Sequence, residues 1–143
     1  MENTKVLIVD DEIDFVDTLA ERMRNRGLVV DTAFSGQEAL EFVTSKAYHA
    51  IVLDLAMPGM DGIETLKRML SLNADLQVIL LTGRATVDKG IEAMRSGAFE
   101  FLEKPVKIDT LITRIDDAKS RKTALTEAKM DDMVEKIVKR KGW

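Results

Sequence analysis

The chain has 143 residues, 45% of them hydrophobic and 32% charged, with a net charge of −4. That is enough for one buried core without staples and too apolar for intrinsic disorder. There is no cysteine, which excludes disulfide scaffolds, thiol catalysis and thiolate zinc sites, and the single histidine, His49, would have to be the base of any serine hydrolase.

No run approaches the roughly 18 apolar residues of a membrane span. Met1-Glu2-Asn3-Thr4-Lys5 lacks the basic region and long apolar run of a secretory signal. The expectation is a cytoplasmic protein. Charge is unevenly spread, since residues 121–143 carry seven basic and four acidic side chains and the remainder is net −7. An acidic body argues against nucleic acid as its ligand.

Lys5-Val6-Leu7-Ile8-Val9 is a continuous apolar run that stops at Asp10-Asp11, as a strand buried on both faces would. Ile13, Val16, Leu19, Ala20 and Met23 then fall at helical spacing up to Arg26, with Gly27 as C-cap. Leu28-Val29-Val30 predicts a second strand, and Ala39, Leu40 and Val43 a helix opening after Ser35-Gly36. His49 to Asp54 is a third strand ending in an acid, followed by the loop Met57-Pro58-Gly59-Met60-Asp61-Gly62. Ile63, Leu66, Met69 and Leu70 mark a helix, and Val78-Ile79-Leu80-Leu81-Thr82 a fourth strand ending in a hydroxyl. Val87, Ile91 and Met94 mark the fourth helix, ending near Gly97. Phe99 to Leu102 is a short fifth strand before Lys104-Pro105, and a helix begins near Ile108. Met23, Met69 and Met94 are expected as core fillers and His49 as structural. Met57 and Met60 border the acidic loop.

Five strands alternating with helices predict an α/β fold with a parallel sheet covered on both faces. Ligands of such sheets bind outside the carboxyl ends of the strands. There the sequence places Asp10 and Asp11, Asp54, Thr82 and Lys104. Clustered carboxylates repel unless a cation joins them, and oxygen donors without histidine or thiolate suit a hard cation such as Mg2+. A lysine suits a phosphoryl group as a point charge, a threonine hydroxyl can donate to its oxygens, and a carboxylate can itself be the nucleophile. The inventory fits Mg2+-assisted phosphoryl transfer onto an aspartate.

Four segments in this order carry a specific resemblance: Val9-Asp10-Asp11-Glu12, Leu53-Asp54 through Asp61-Gly62, Leu81-Thr82-Gly83 and Glu103-Lys104-Pro105. Over about Lys5 to Lys119 the chain resembles the receiver domain of bacterial two-component response regulators. The resemblance implies a flavodoxin-like doubly wound (βα)5 fold, strand order 2-1-3-4-5, with an extra C-terminal helix here. It implies Asp54 as phosphoacceptor, and Mg2+ bound by Asp11, by Asp10 mainly through water, by Asp54 and by the backbone carbonyl of Ala56. Lys104 would pair with the phosphoryl group, Thr82 would move to hydrogen-bond it, and Phe101 would be the aromatic switch, without a phenolic hydroxyl. The Lys104–Pro105 bond is often cis in this family. Ala56 and Arg84 occupy the positions that tune phosphoryl lifetime, and the expectation is slow to moderate self-dephosphorylation.

The expected partners are a histidine kinase or phosphotransfer protein as donor and a downstream protein target. A homodimer through the fourth-helix face or the C-terminal helix is a further expectation, with no DNA-binding domain and no membrane span. The protein would be a phosphoacceptor switch rather than a turnover enzyme. A haloacid-dehalogenase-type phosphohydrolase would need a second Asp where Ala56 stands, and a flavin carrier would need a first loop that does not repel phosphate, unlike Asp10-Asp11-Glu12. A phosphorylation-independent binding module on the same fold is the other reading.

The expected division is a receiver over residues 1–120 and a helical extension over 121–143. There is no Pro or Gly from Lys107 to Lys141. Met130, Met133, Val134, Ile137 and Val138 form an apolar stripe at helical spacing, and the polar Ser120-Arg121-Lys122-Thr123 leaves a hinge and one long helix equally open.

Overall fold

In the computed structural model, which describes residues 3–57, 59–83 and 87–141, strand and helix alternate along the chain. The elements are β1 (Lys5–Val9), α1 (Ile13–Asn25), β2 (Val29–Ala33), α2 (Gly36–Ser45), β3 (Ala50–Asp54), α3 (Gly62–Leu72), β4 (Val78–Thr82), α4 (Val87–Arg95), β5 (Glu100–Glu103) and α5 (Ile108–Lys141). The sheet order is β2-β1-β3-β4-β5, and every neighbouring pair is parallel. This is the flavodoxin-like doubly wound topology that the alternating pattern and the resemblance implied.

The apolar runs of β1, β3 and β4 become the central strands because their side chains alternate into two cores. Val6, Ile8, Val52, Ile79 and Leu81 pack with Val16, Ala20, Met23, Leu111 and Ile115 on the face of α1 and α5. Leu7, Val9, Ile51, Leu53 and Leu80 pack with Ala39, Leu66, Met69 and Ala93 on the face of α2, α3 and α4. Met23 and Met69 are core residues, as expected, and Met94 is half-buried against the same core.

β2 begins one residue later than Leu28-Val29-Val30 predicts and runs on through Asp31, Thr32 and Ala33. It is an edge strand, where polar side chains can reach partners beside the sheet. Tyr48 donates its hydroxyl to Asp31 at 2.7 Å, and Lys46 pairs with the same carboxylate at 3.2 Å. Those contacts hold the Asp31 carboxyl below its usual range, the tyrosine bond first, and burial with the same bond pushes the Tyr48 phenol upward.

Helix ends follow local chemistry. Ser35 caps α2 by accepting from the Glu38 amide at 3.1 Å, and Asp61 caps α3 by accepting from the Glu64 amide at 2.8 Å. Gly62 is required by close approach, since a Cβ there would lie 2.4 Å from the Leu55 Cα and 2.6 Å from the Asp54 carbonyl oxygen. The first turn of α3 is thereby pressed against the end of β3.

α5 is one uninterrupted helix of 34 residues, so Ser120-Arg121-Lys122-Thr123 stays helical. Leu111, Ile115 and Ala118 are buried under the sheet. Past the amino-terminal edge of the sheet the helix keeps two tethers, Lys119 donating to the Thr4 hydroxyl at 3.1 Å and an ion pair between Lys129 and Asp75. Beyond them Met130, Met133, Val134 and Ile137 are exposed. His49 opens this edge as a structural residue, its Nδ1 accepting from the Lys5 amide at 2.9 Å. Burial, then the charges of Lys119, Lys5 and Lys122, disfavour its protonation. Among the described residues no helix is long and apolar enough to cross a membrane.

Candidate functional site

At the opposite, carboxyl edge the strand ends converge. Asp10 follows β1 and is 1% exposed, Asp54 ends β3 at 4%, and Thr82 ends β4 fully buried. Lys104 follows β5 directly, its amide donating to the Thr82 carbonyl at 2.7 Å and its bond to Pro105 cis. The Lys104 Nζ lies 2.8 Å from Asp10 Oδ2, 3.7 Å from Asp54 Oδ1 and 3.7 Å from Glu12 Oε1. An ammonium among three carboxylates is a strong local field in a partly dry crevice.

Two of the three carboxylates, those of Asp10 and Asp54, are held by backbone as well. The Glu12 amide, at the start of α1, donates to Asp10 Oδ1 at 3.0 Å, and the Ala56 amide donates to Asp54 Oδ1 at 3.2 Å. Burial pushes the Asp54 carboxyl up to about 6, with the charge of Asp10 adding to it, while the Ala56 amide and Lys104 pull the other way. Burial alone would lower the Lys104 ammonium, but its hydrogen bond to Asp10 and the charges of Asp10, Asp54 and Glu12 outweigh that and raise it.

Carboxylate oxygens of Asp10, Glu12 and Asp54 lie within 4.8 Å of one another. An all-oxygen set with excess negative charge fits a hard divalent cation. Glu12 thus joins Asp10 and Asp54 in the cluster, and both Glu12 and its neighbour Asp11, the acid named from the sequence, are exposed at the rim. The acid run itself carried the signal for Glu12, but only the folded turn into α1 brings its carboxylate within 4.8 Å of those of Asp10 and Asp54. Ala56 is exposed beside Asp54, and Arg84 lies outside the described residues.

The Thr82 hydroxyl makes a weak bond to the Leu102 carbonyl at 3.4 Å. Phe101 is half-buried, and a Cβ on Gly90 of α4 would lie 3.4 Å from both the Phe101 ring and the Thr82 methyl. A side chain at Gly90 would thus meet both in ordinary van der Waals contact, so this turn of α4 lies beside Thr82 and Phe101. Sequence reasoning missed this role of Gly90, and also Phe15 in the first turn of α1, whose ring centre is 4.5 Å from Lys104 Nζ. Helical periodicity does not show that a residue near a helix start faces a lysine ninety positions away.

The sequence matches the response regulator receiver domain over residues 6–116. This chain belongs to that family. Among similar proteins, the transcriptional regulatory protein ZraR of Klebsiella oxytoca is 36% identical over 127 residues, covering 89% of this chain and 28% of that protein. The response regulator MprA of Mycobacterium ulcerans is 33% identical over 132 residues, covering 92% of this chain and 56% of that protein. A crystal structure of a response regulator receiver domain protein from Clostridium thermocellum matches the receiver with a TM-score of 0.82 at 33% identity, covering 85% of this chain and 98% of that one.

The relatives correct the expected partners. The sequence reading gave the receiver a protein target or a homodimer through the fourth-helix face or the C-terminal helix, and no DNA-binding domain. ZraR is named a transcriptional regulatory protein, and the chain spans about a quarter of it. A receiver is a module, and the residues that follow it here do not define the output of such regulators.

Proposed function

We propose that the receiver accepts a phosphoryl group on Asp54 from the phosphohistidine of a histidine kinase or phosphotransfer protein. The observation that carries this reading is the buried Asp54 carboxylate with Lys104 Nζ at 3.7 Å and Asp10 bound to the same ammonium. In the transfer, an Asp54 carboxylate oxygen forms a bond to phosphorus as the phosphorus–nitrogen bond of the donor breaks, and the imidazole leaves and regains a proton. Asp54 can attack only when ionised, and Lys104 favours that form. Mg2+ would be held by Asp10, Asp11, Asp54 and the Ala56 carbonyl, with Glu12 beside them, and when bound it supplies charge neutralisation for the phosphoryl oxygens.

Once the phosphoryl group is present, the Lys104 ammonium exchanges Asp10 for a phosphoryl oxygen. The Thr82 hydroxyl, held by a 3.4 Å bond to the Leu102 carbonyl, re-aims toward the phosphoryl group, and Phe101 follows into the space it leaves. Because α4 lies beside both side chains at Gly90, the rearrangement biases the position of α4, a two-state switch rather than a cycle of turnover. Ala56 offers no polar side chain to orient a hydrolytic water, so self-dephosphorylation is slow to moderate.

The test is intact mass before and after acetyl phosphate and Mg2+. Wild type gains one phosphoryl group, the gain disappears with chelator and in Asp54→Asn, and label loss after donor removal measures its lifetime. No gain in wild type overturns the proposal.

A further inference from the structure

We infer that Phe15 is a positioning residue for Lys104, the fixed surface on which the ammonium turns between Asp10 and the phosphoryl group. This rests on the reading of Asp54 as phosphoacceptor. Among the described residues the Lys104 Nζ has two kinds of neighbour. Three are carboxylates, of Asp10, Glu12 and Asp54, and the fourth is the face of the Phe15 ring, 4.5 Å from ring centre to nitrogen.

The two kinds behave differently during the reaction. Each carboxylate changes its net charge or its partner when a proton, a cation or a phosphoryl group arrives. The ring does not. An aromatic face attracts a cation through its quadrupole and offers no oxygen that competes for the ammonium hydrogens. It therefore steadies the charge without fixing the direction in which those hydrogens point. A leucine of similar size would fill the space while only removing water from the ammonium.

Phe15 is itself fixed. It sits in the first turn of α1 and packs against the core between the sheet, α1 and α5. Val106 and Ile108, which follow Lys104-Pro105, line the same groove as the ring. The ring thus joins the helix after Asp10 to the segment after Lys104, the two pieces of chain that must keep their spacing while the ammonium moves.

The test is the initial rate of phosphoryl gain by intact mass, with acetyl phosphate as donor and saturating Mg2+. In that reaction the phosphorus–oxygen bond of the donor breaks, the bond to Asp54 forms and acetate leaves. Phe15→Leu is expected to slow the reaction by about three- to tenfold, while Phe15→Tyr and Phe15→Trp, which keep an aromatic face, stay within about twofold of wild type. Melting temperatures are followed throughout, and Phe15→Met is the second apolar variant in case the leucine packs badly. In a Lys104→Gln background, Phe15→Leu has no further effect, because the cation it acts on is gone. In the unphosphorylated protein, the ring current on the Lys104 Cε protons is present in wild type and lost in Phe15→Leu. An unchanged rate in Phe15→Leu, or the same slowing with and without Lys104, overturns the inference while leaving Asp54 chemistry intact. Failure of wild type to gain any phosphoryl group overturns both together.

Discussion

The two halves of α5 share one helix and have opposite surroundings. Residues up to Ala118 place Leu111, Ile115 and Ala118 fully under the sheet, while the stretch from Met130 to Ile137 presents an equally apolar stripe to solvent. Periodicity is the same in both. What differs is whether a sheet face lies opposite, so an amphipathic pattern specifies a helix and a side but not an occupant. The reactive crevice shows the reverse case, polar groups buried at a strand edge because they partner one another.

The largest effect that would break this comparison is at Asp54. Asp54→Asn is expected to lose phosphoryl gain completely, yet in chelator to be more stable than wild type by about 2 kcal/mol, because it removes a buried charge held next to Asp10. Denaturant unfolding of both proteins in EDTA checks the sign. A variant less stable than wild type would mean that Asp54 is well compensated and the crevice carries no surplus charge.

Next comes a matched pair within α5. Leu111→Ala should cost about 3 kcal/mol, as fully buried leucines do, whereas Met133→Ala, at a residue 62% exposed, should stay within about 0.5 kcal/mol. Equal costs in chemical denaturation would erase the distinction between the two halves.

A smaller effect is the pH dependence of the crevice. The folded Asp54 carboxyl titrates near 6, above its ordinary value of 3.8, so between these values the fold binds a proton that the unfolded chain does not. Its destabilisation is fully present above about pH 6 and is relieved as pH falls toward 4. The stability gap between wild type and Asp54→Asn in EDTA should therefore narrow over that window. A gap independent of pH would assign the effect to packing.

The smallest concerns the tether. Lys129 and Asp75 are joined by an ion pair, and its lysine draws the Asp75 carboxyl below its usual range. Lys129→Ala should speed amide exchange in the distal half of α5 and leave the sheet unchanged. Exchange that is identical in both proteins would show the tether to be without consequence.

The sheet and the strand-end groups were legible because each central strand is a continuous apolar run that stops at a chemically distinct residue. Asp10, Asp54, Thr82 and Lys104 need only a parallel sheet to meet. Beyond them legibility depended on turns. That the Glu12 carboxylate comes within 4.8 Å of those of Asp10 and Asp54 depends on the turn into α1, which apolar spacing does not record. Asp31, within β2, has side-chain partners in Tyr48 and Lys46 that an apolar pattern does not record. Continuity of α5 through Ser120 to Thr123 was undetermined because polar residues are as acceptable on an exposed helix as in a hinge.

α5 begins three residues after Pro105, at the edge where the phosphoryl chemistry is proposed, and its 34 residues extend about 50 Å. A rod of that length is a lever. A tilt of about 5° at its base would carry the far end through about 4 Å, since displacement grows with the length of the helix. An angular change too small to disturb the packing under the sheet becomes, at the distal end, a shift as large as the spacing between neighbouring residues along the chain.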